Sequence, residues 1–334
     1  MRVGLVIYGS LDLVSGGFLY DRMLVRELRA AGVAVDVIGL PWRRPAAAVA
    51  ENLRPWPALD CDVVLQDQLV HPAVFARNAR LGRPVVALVH NLSRPPGTSS
   101  LAALIERRYF ATVDGVIAVC DDTLAGVRAV AGPVRGVVAR AGRDHVPARP
   151  AQPPPGPLRL LFVGTVMPHK GLERLLQALA PLQGWTLDVV GSLTADPAHA
   201  ARLRAGAPAH VRWHGELQGD ALWALYRGSH LFVLPSDREA YSLACLEALG
   251  FGLPVLVTDR GGMREMIAGD EGLTLPPDRP AAWTTAIAAL TADRDRLTRM
   301  SAAARARFAR HGTWRDTAST VARFLEEILA GSLR

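Results

Sequence analysis

Short runs dominated by valine, isoleucine and leucine recur through this chain. In the first half they are RVGLVIYG (2–9), VAVDVIGL (33–40), CDVVLQD (61–67), PVVALVH (84–90) and DGVIAVC (114–120). Five to seven nearly continuous apolar residues are what a strand needs when both faces of its sheet are covered. Between the runs lie stretches of helical period, such as YDRMLVRELRAAG, closed by Gly32, and SLAALIERRYF. Strand and helix in alternation predict an α/β fold built on a doubly wound parallel sheet.

The alternation is interrupted by VPARPAQPPPGPLR (146–159), whose prolines stiffen the chain and cannot enter a core. It then restarts with LRLLFVG, WTLDVVG, VRWHG, HLFVLPS and PVLVTD. The 334 residues suit two domains of about 150 residues each. We therefore expect Rossmann-like domains over 1–150 and 151–313, facing a central cleft. The amphipathic helix over 314–334 would close the chain by packing on one of them. Ligands of open α/β sheets bind beyond the carboxyl ends of the strands, so functional residues should follow strands.

Bulk properties narrow the class. Half of the residues are hydrophobic, and no uncharged apolar run reaches the roughly 18 residues of a membrane-spanning helix. MRVGLVIYGS reads as a first strand rather than a leader. Cys61, Cys120 and Cys245 lie in or beside apolar segments and have no metal or redox spacing, which fits buried thiols in the cytoplasm. Of the net charge of +7, +5 belongs to residues 1–150, where every Lys or Arg is arginine. Such a surface suits phosphates or the anionic inner face of a membrane, with PWRRP and IERRYF as docking segments. A composition bias toward arginine accounts for it equally well. No nucleic-acid-binding motif with stacking aromatics accompanies the charge.

From Ala240 to Thr258 the chain carries one charge, Glu247, inside an apolar run. Ser242 is a good helix N-cap, so Tyr241, Ser242 and Leu243 mark a helix start whose free N–H groups suit an anion. Glu247 then falls about one turn further in. A buried carboxylate needs partners, and a vicinal diol offers two hydroxyl donors. Glu239 stands just before this helix, where sugar hydroxyls would suit it. In LLFVGTVMPHKGLERLLQAL a strand runs into Gly164 and Thr165, and Lys170 closes the loop where it could meet a phosphate as a point charge. Gly16 and Gly17 follow the first strand as a loop that could touch a phosphate or sugar, although no G-x-G-x-x-G fingerprint is present. His90 ends a predicted strand and so points toward the ligand edge.

Other features are discounted. Asp293 and Asp295 read as solvated charges on a polar helix face. Asp121 and Asp122 read as a helix N-cap. No zinc spacing and no nucleophile elbow appears.

Taken together, the chain resembles the family 4 retaining glycosyltransferases of GT-B architecture, most strongly over 158–268. The motifs that carry the resemblance are Glu239 and Glu247 with seven residues between them, GLPVLVTDRGGMREMI, the loop FVGTVMPHKG, SGGF, and His90. The resemblance implies transfer of a sugar from a nucleotide-diphosphate sugar to a glycan, lipid-linked or small-molecule acceptor, with no metal and no cofactor beyond that co-substrate. It implies that Glu247 holds the ribose, Glu239 contacts sugar hydroxyls and Lys170 neutralises the leaving diphosphate. Backbone at Tyr241–Leu243 and Gly17 would cradle phosphates, and His90 would contact the donor sugar near the reacting carbon. Two departures stand out. Thr165 occupies a position where the family often has arginine, and EAYS (239–242) replaces EGFG. A nucleotide-sugar epimerase on the same fold, or a non-catalytic nucleotide-sugar-binding subunit, are the alternatives.

Overall fold

A computed structural model describes residues 1–43, 45–54, 59–92, 100–147 and 150–332, with the backbone alone for 45 and 46. Arg44 of the PWRRP segment, and 148–149 of the proline-rich stretch, lie outside the described residues. The chain divides into two compact units, Met1–Gly142 with Gly312–Arg334, and Arg143–His311.

The first unit is built on a six-stranded sheet in the order β2-β1-β3-β4-β5-β6. The strands are β1 (Arg2–Tyr8), β2 (Ala34–Leu40), β3 (Val63–Asp67), β4 (Val85–Val89), β5 (Gly115–Ala118) and β6 (Gly136–Val138). All neighbouring pairs are parallel. The predicted Val/Ile runs supply β1 to β5. Strands β3, β4 and β5 are buried along their whole length, as expected for a sheet with helices on both faces. The edge strand β6 was not foreseen. It is three residues long and half-buried, so it leaves no apolar run to read.

The closing helix Trp314–Ser332 belongs to this unit. Trp314 packs edge-on against Tyr20, with ring centroids 5.2 Å apart. Thr317 Oγ1 donates to Arg140 O at 2.6 Å. Val321, Leu325 and Ile328 bury the apolar stripe that the helical period predicts.

The second unit has a six-stranded sheet in the order β12-β11-β10-β7-β8-β9. Its strands are β7 (Leu158–Val163), β8 (Trp185–Val190), β9 (Val211–Gly215), β10 (Leu231–Leu234), β11 (Val255–Thr258) and β12 (Gly272–Leu275). These pairs are parallel too. The direction of strand addition reverses between β7 and β10, which opens a crevice at their carboxyl ends. In the first unit the same reversal falls between β1 and β3.

The division between units comes at Gly142, ahead of the proline-rich stretch, because residues 143–147 are already laid on the second unit. Arg143 Nε donates to His311 O at 2.7 Å, and its guanidinium lies 5.7 Å from the centre of the Phe308 ring. Val146 packs so closely on Gly250 that a Cβ there would meet it. Further on, Ala151 N donates to Phe251 O and Gln152 N to Arg227 O. The stretch is therefore fastened to the second unit by its backbone, and its prolines do not act as a free spacer.

Candidate functional site

In the second unit two loops meet at the reversal point. The first leaves β7 through Gly164 and Thr165 and ends in a 3-10 turn, Pro168–Lys170. Gly164 N donates to Val190 O, and Met167 N donates to Thr165 O. The second leaves β10 through Pro235 and Ser236 and reaches Glu239. Asp237 N donates to His169 O at 2.8 Å, and Arg174 donates to both Pro235 O and Asp237 Oδ1.

Gly171 makes that junction possible. Its φ is +73°, and a Cβ there would collide with Pro235 O. Only glycine enters the left-handed region without a steric penalty. The Glu239 backbone is fixed from its other side. It pairs with Gly261 in an isolated parallel bridge, and Gly262 N donates to Glu239 O at 2.9 Å.

Against this frame Lys170 Nζ donates to Glu239 Oε1 at 2.6 Å, and Ser236 Oγ donates to the same oxygen at 2.7 Å. One carboxylate oxygen thus takes two donors, which leaves Oε2 as the oxygen turned to other partners. Glu239 is buried, while Lys170 keeps part of its side chain accessible. Lys170 is the only lysine among the 38 Lys and Arg residues of the chain. In so arginine-rich a sequence, a lone lysine was a signal that the motif reading passed over. Burial, then the neighbouring Lys170 charge, hold the His169 imidazole below its ordinary range.

The helix Leu243–Gly250 follows, capped as expected by Ser242, whose Oγ accepts from Cys245 N at 3.2 Å. Tyr241 turns its hydroxyl to His311 Nε2, 2.6 Å away. Leu243 opens the helix and is buried. Glu247 is buried, as its place in an apolar run requires, and it does have partners. Tyr226 Oη donates to its Oε2 at 2.8 Å, and His145 Nε2 lies 3.5 Å from Oε1. Burial, then the charge of Glu247, push the Tyr226 phenol well above its ordinary range. Neither partner was legible in advance, since they stand 21 and roughly a hundred residues away along the chain.

The remaining predicted residues belong to the first unit. Gly16 and Gly17 are not a loop. They form the first turn of helix Gly16–Ala30, capped by Ser15, whose Oγ accepts from Phe18 N. Ser15 can satisfy an N–H of the first turn, so the helix begins before the glycines rather than after them. Gly17 lies against the His90 ring, where a Cβ would stand 3.5 Å from Cδ2. The expected N-cap at Asp121–Asp122 is likewise displaced. Cys120 caps that helix, and the two aspartates occupy its first turn.

His90 directly follows β4. Its Nε2 lies 3.0 Å from Asp21 Oδ1 and 4.0 Å from Asp67 Oδ2. Asp21 sits on helix Gly16–Ala30 and Asp67 ends β3, so the three groups gather at this unit's own reversal point. Both carboxyls are essentially inaccessible. Burial lowers the His90 pKa, but the charge and hydrogen bond of Asp21, aided by Asp67, raise it to about 8. The sequence reading missed both aspartates, because Asp67 ends an apolar strand and Asp21 is one of several charges on an amphipathic helix, and no motif marks either.

Comparison with known proteins agrees with this architecture. The chain superposes on sucrose-phosphate synthase from Thermosynechococcus elongatus with a TM-score of 0.83 at 19% identity, covering 99% of each chain. It superposes on Anabaena HepE in complex with UDP-glucose with a TM-score of 0.81 at 15% identity, covering 98% of this chain and 100% of that one. The fold is that of the GT-B glycosyltransferases. Residues 148–307 match the family described as glycosyl transferases group 1.

Among curated proteins, a D-inositol 3-phosphate glycosyltransferase of Jonesia denitrificans is 31% identical over 173 residues, 48% of this chain and 41% of that protein. A GDP-mannose-dependent alpha-mannosyltransferase of Mycolicibacterium smegmatis is 35% identical over 161 residues, 46% of this chain and 41% of that protein. The chain spans about two-fifths of the length of these relatives. Among the described residues, no helix is long and apolar enough to cross a membrane.

Proposed function

We propose that this chain is a retaining glycosyltransferase that moves a sugar from a nucleotide-diphosphate sugar to an acceptor, without a metal ion. The observation that carries this reading is the junction of Lys170, Glu239 and the Ser242-capped helix at the reversal point of a group 1 glycosyltransferase domain. A cation and a helix start supply positive potential where a diphosphate would leave, and Glu239 offers an acceptor to sugar hydroxyls. Glu247, one turn into the helix, is the acceptor for ribose hydroxyls. Backbone around Tyr241–Leu243 and Gly164–Thr165 lines the phosphates.

Catalysis in this reading is positioning plus electrostatic stabilisation of the leaving diphosphate. The acceptor would be taken by the first unit, which also carries Gly17 and His90. There Trp42, Leu101 and Leu104 are exposed. Arg107 and Arg108 are exposed on the same helix as the two leucines. Apolar side chains beside arginines favour a lipid-linked acceptor at the inner membrane surface over a small soluble one. The relatives' names point to GDP-mannose as one donor to try first, and to inositol 3-phosphate as the small soluble acceptor to set against a lipid-linked one.

The test is calorimetric binding of UDP, GDP, ADP and TDP, with Glu247→Ala as control. One diphosphate should bind near micromolar affinity, and the variant should lose it. Folded protein that binds none of the four would overturn the donor-site assignment.

A further inference from the structure

Beneath His90 the first unit buries more acid than a neutral interior tolerates. Asp21 and Asp67 are 0% and 1% exposed. Their oxygens and His90 Nε2 all lie within 4.8 Å of one another. Two carboxylates this close in a low-dielectric site cannot both stay ionised. Asp21 Oδ1 is satisfied by His90 Nε2. Its Oδ2 is buried with no N–H or hydroxyl donor among the described residues. Asp67 brings a carboxyl oxygen within 4.8 Å of Asp21 and His90, and the charge of Asp21 helps to raise its pKa. Asp67 Oδ1 is itself occupied by Leu69 N at 2.7 Å. A carboxyl can donate to a carboxylate only when it carries a proton, so a proton on Asp67 resolves the orphaned oxygen.

We propose that Asp21 and Asp67 share one proton and act as a positioning pair for His90, with Asp21 holding Nε2 so that Nδ1 is the nitrogen presented to substrate. The role in transfer rests on the function proposed above, whereas the pair itself does not. The surroundings agree with it. Asp67 has its pKa raised to about 7, first by burial and then by the charge of Asp21. The Tyr20 ring meets His90 edge-on at 5.1 Å. Burial followed by the Asp67 charge pushes the phenol of Tyr109 well above the ordinary range. A histidine whose one nitrogen is held by a buried carboxylate has a fixed tautomer and orientation, the arrangement general acid–base and electrostatic catalysts use.

The experiment is imidazole nitrogen NMR on the full chain labelled with ¹⁵N-histidine. The His90 signal is assigned by its loss in His90→Gln. In the unaltered protein it should titrate near 8. In Asp21→Asn the midpoint should fall by at least about one pH unit with the other histidines unmoved. Asp67→Asn should leave the nitrogen shifts of His90 in their native pattern, since an amide still donates to Asp21 Oδ2. Asp67→Ala should disturb them. A folded Asp21→Asn protein whose His90 midpoint does not move overturns the pair. So does an Asp67→Asn protein that is disturbed as much as Asp67→Ala, a comparison that holds even should Asp21→Asn not fold. In transfer assays with UDP-glucose and GDP-mannose, Asp21→Asn should lower kcat about 10- to 100-fold with KM for donor unchanged. Failure of the unaltered protein to bind or turn over any donor would count against the proposed function alone, because the NMR readout needs no substrate.

Discussion

Lys170 and Glu239 are 69 residues apart in the chain and 2.6 Å apart in the fold, Nζ to Oε1. Each is the group through which the other is held where β7 and β10 end side by side. A ligand carrying a diphosphate would compete with Glu239 for the lysine, and a sugar hydroxyl would take up the carboxylate oxygen not engaged by Lys170 and Ser236. In the function proposed above, the ion pair is the resting arrangement of the donor site.

Because Lys170 is the only lysine, its role can be measured without mutation. An amine-selective acylating reagent at neutral to mildly basic pH should modify one side chain, besides the α-amino group. Saturating nucleoside diphosphate should slow that modification, followed by intact mass. Labelling at an unchanged rate under saturation would remove Lys170 from the phosphate site. Lys170→Ala should cost about 10²-fold or more in kcat, the usual effect of removing one preorganised charge from a developing anion.

Tyr226→Phe separates structure from binding at Glu247. It removes the donor to a buried carboxylate, together with a hydrogen bond to Ala244 O. The expected cost is about 1–3 kcal/mol of stability, measured by denaturant unfolding. Nucleotide affinity should fall less than in Glu247→Ala. Equal losses of affinity would mean that Glu247 acts on the fold rather than on the ribose.

Gly171→Ala should be poorly tolerated. The backbone there is left-handed, and the added Cβ meets Pro235 O. A loss of at least about 1–3 kcal/mol is expected, with weaker nucleotide binding as the two loops move apart. Gly184→Ala is the control, since its φ is also +73° but nothing stands within 4 Å of the new Cβ. A Gly171 variant no worse than the control would show that the loop contact is dispensable.

The groups around His90 predict a pH dependence of stability. Both Asp67, raised to about 7, and His90, raised to about 8, hold their protons more tightly folded than unfolded. Their contribution is therefore fully present below the unfolded pKa, about 4 for an aspartate and about 6.5 for a histidine. It is lost as pH rises through the folded values. Stability should fall between pH about 4 and about 8, and Asp67→Asn should flatten the lower part of that fall. A rise in stability across this window, followed by unfolding at fixed ionic strength, would contradict the protonation assigned to Asp67.

The elements of this fold could be read from the chain because local patterns specify them. A strand covered on both faces must be a continuous apolar run, so nine of the twelve strands follow from runs such as PVVALVH and HLFVLPS, and β11 from PVLVTD. The missing two, β6 and β12, are short edge strands with half-buried side chains that need no such run. Ser242 could be named as a cap, and Glu247 as a buried carboxylate in need of partners, because both depend on immediate neighbours. Which partners they would find was a matter for the tertiary structure. Tyr226 and His145 reach Glu247, Lys170 reaches Glu239, and Asp21 and Asp67 reach His90 across separations that no local pattern encodes. The order of strands settles two of these encounters: Lys170 meets Glu239 because β7 is placed beside β10, and Asp67 meets His90 because β3 is placed beside β4. The end of the first unit at Gly142 was decided in the same way, by contacts such as that of Val146 with Gly250 on a helix a hundred positions further on.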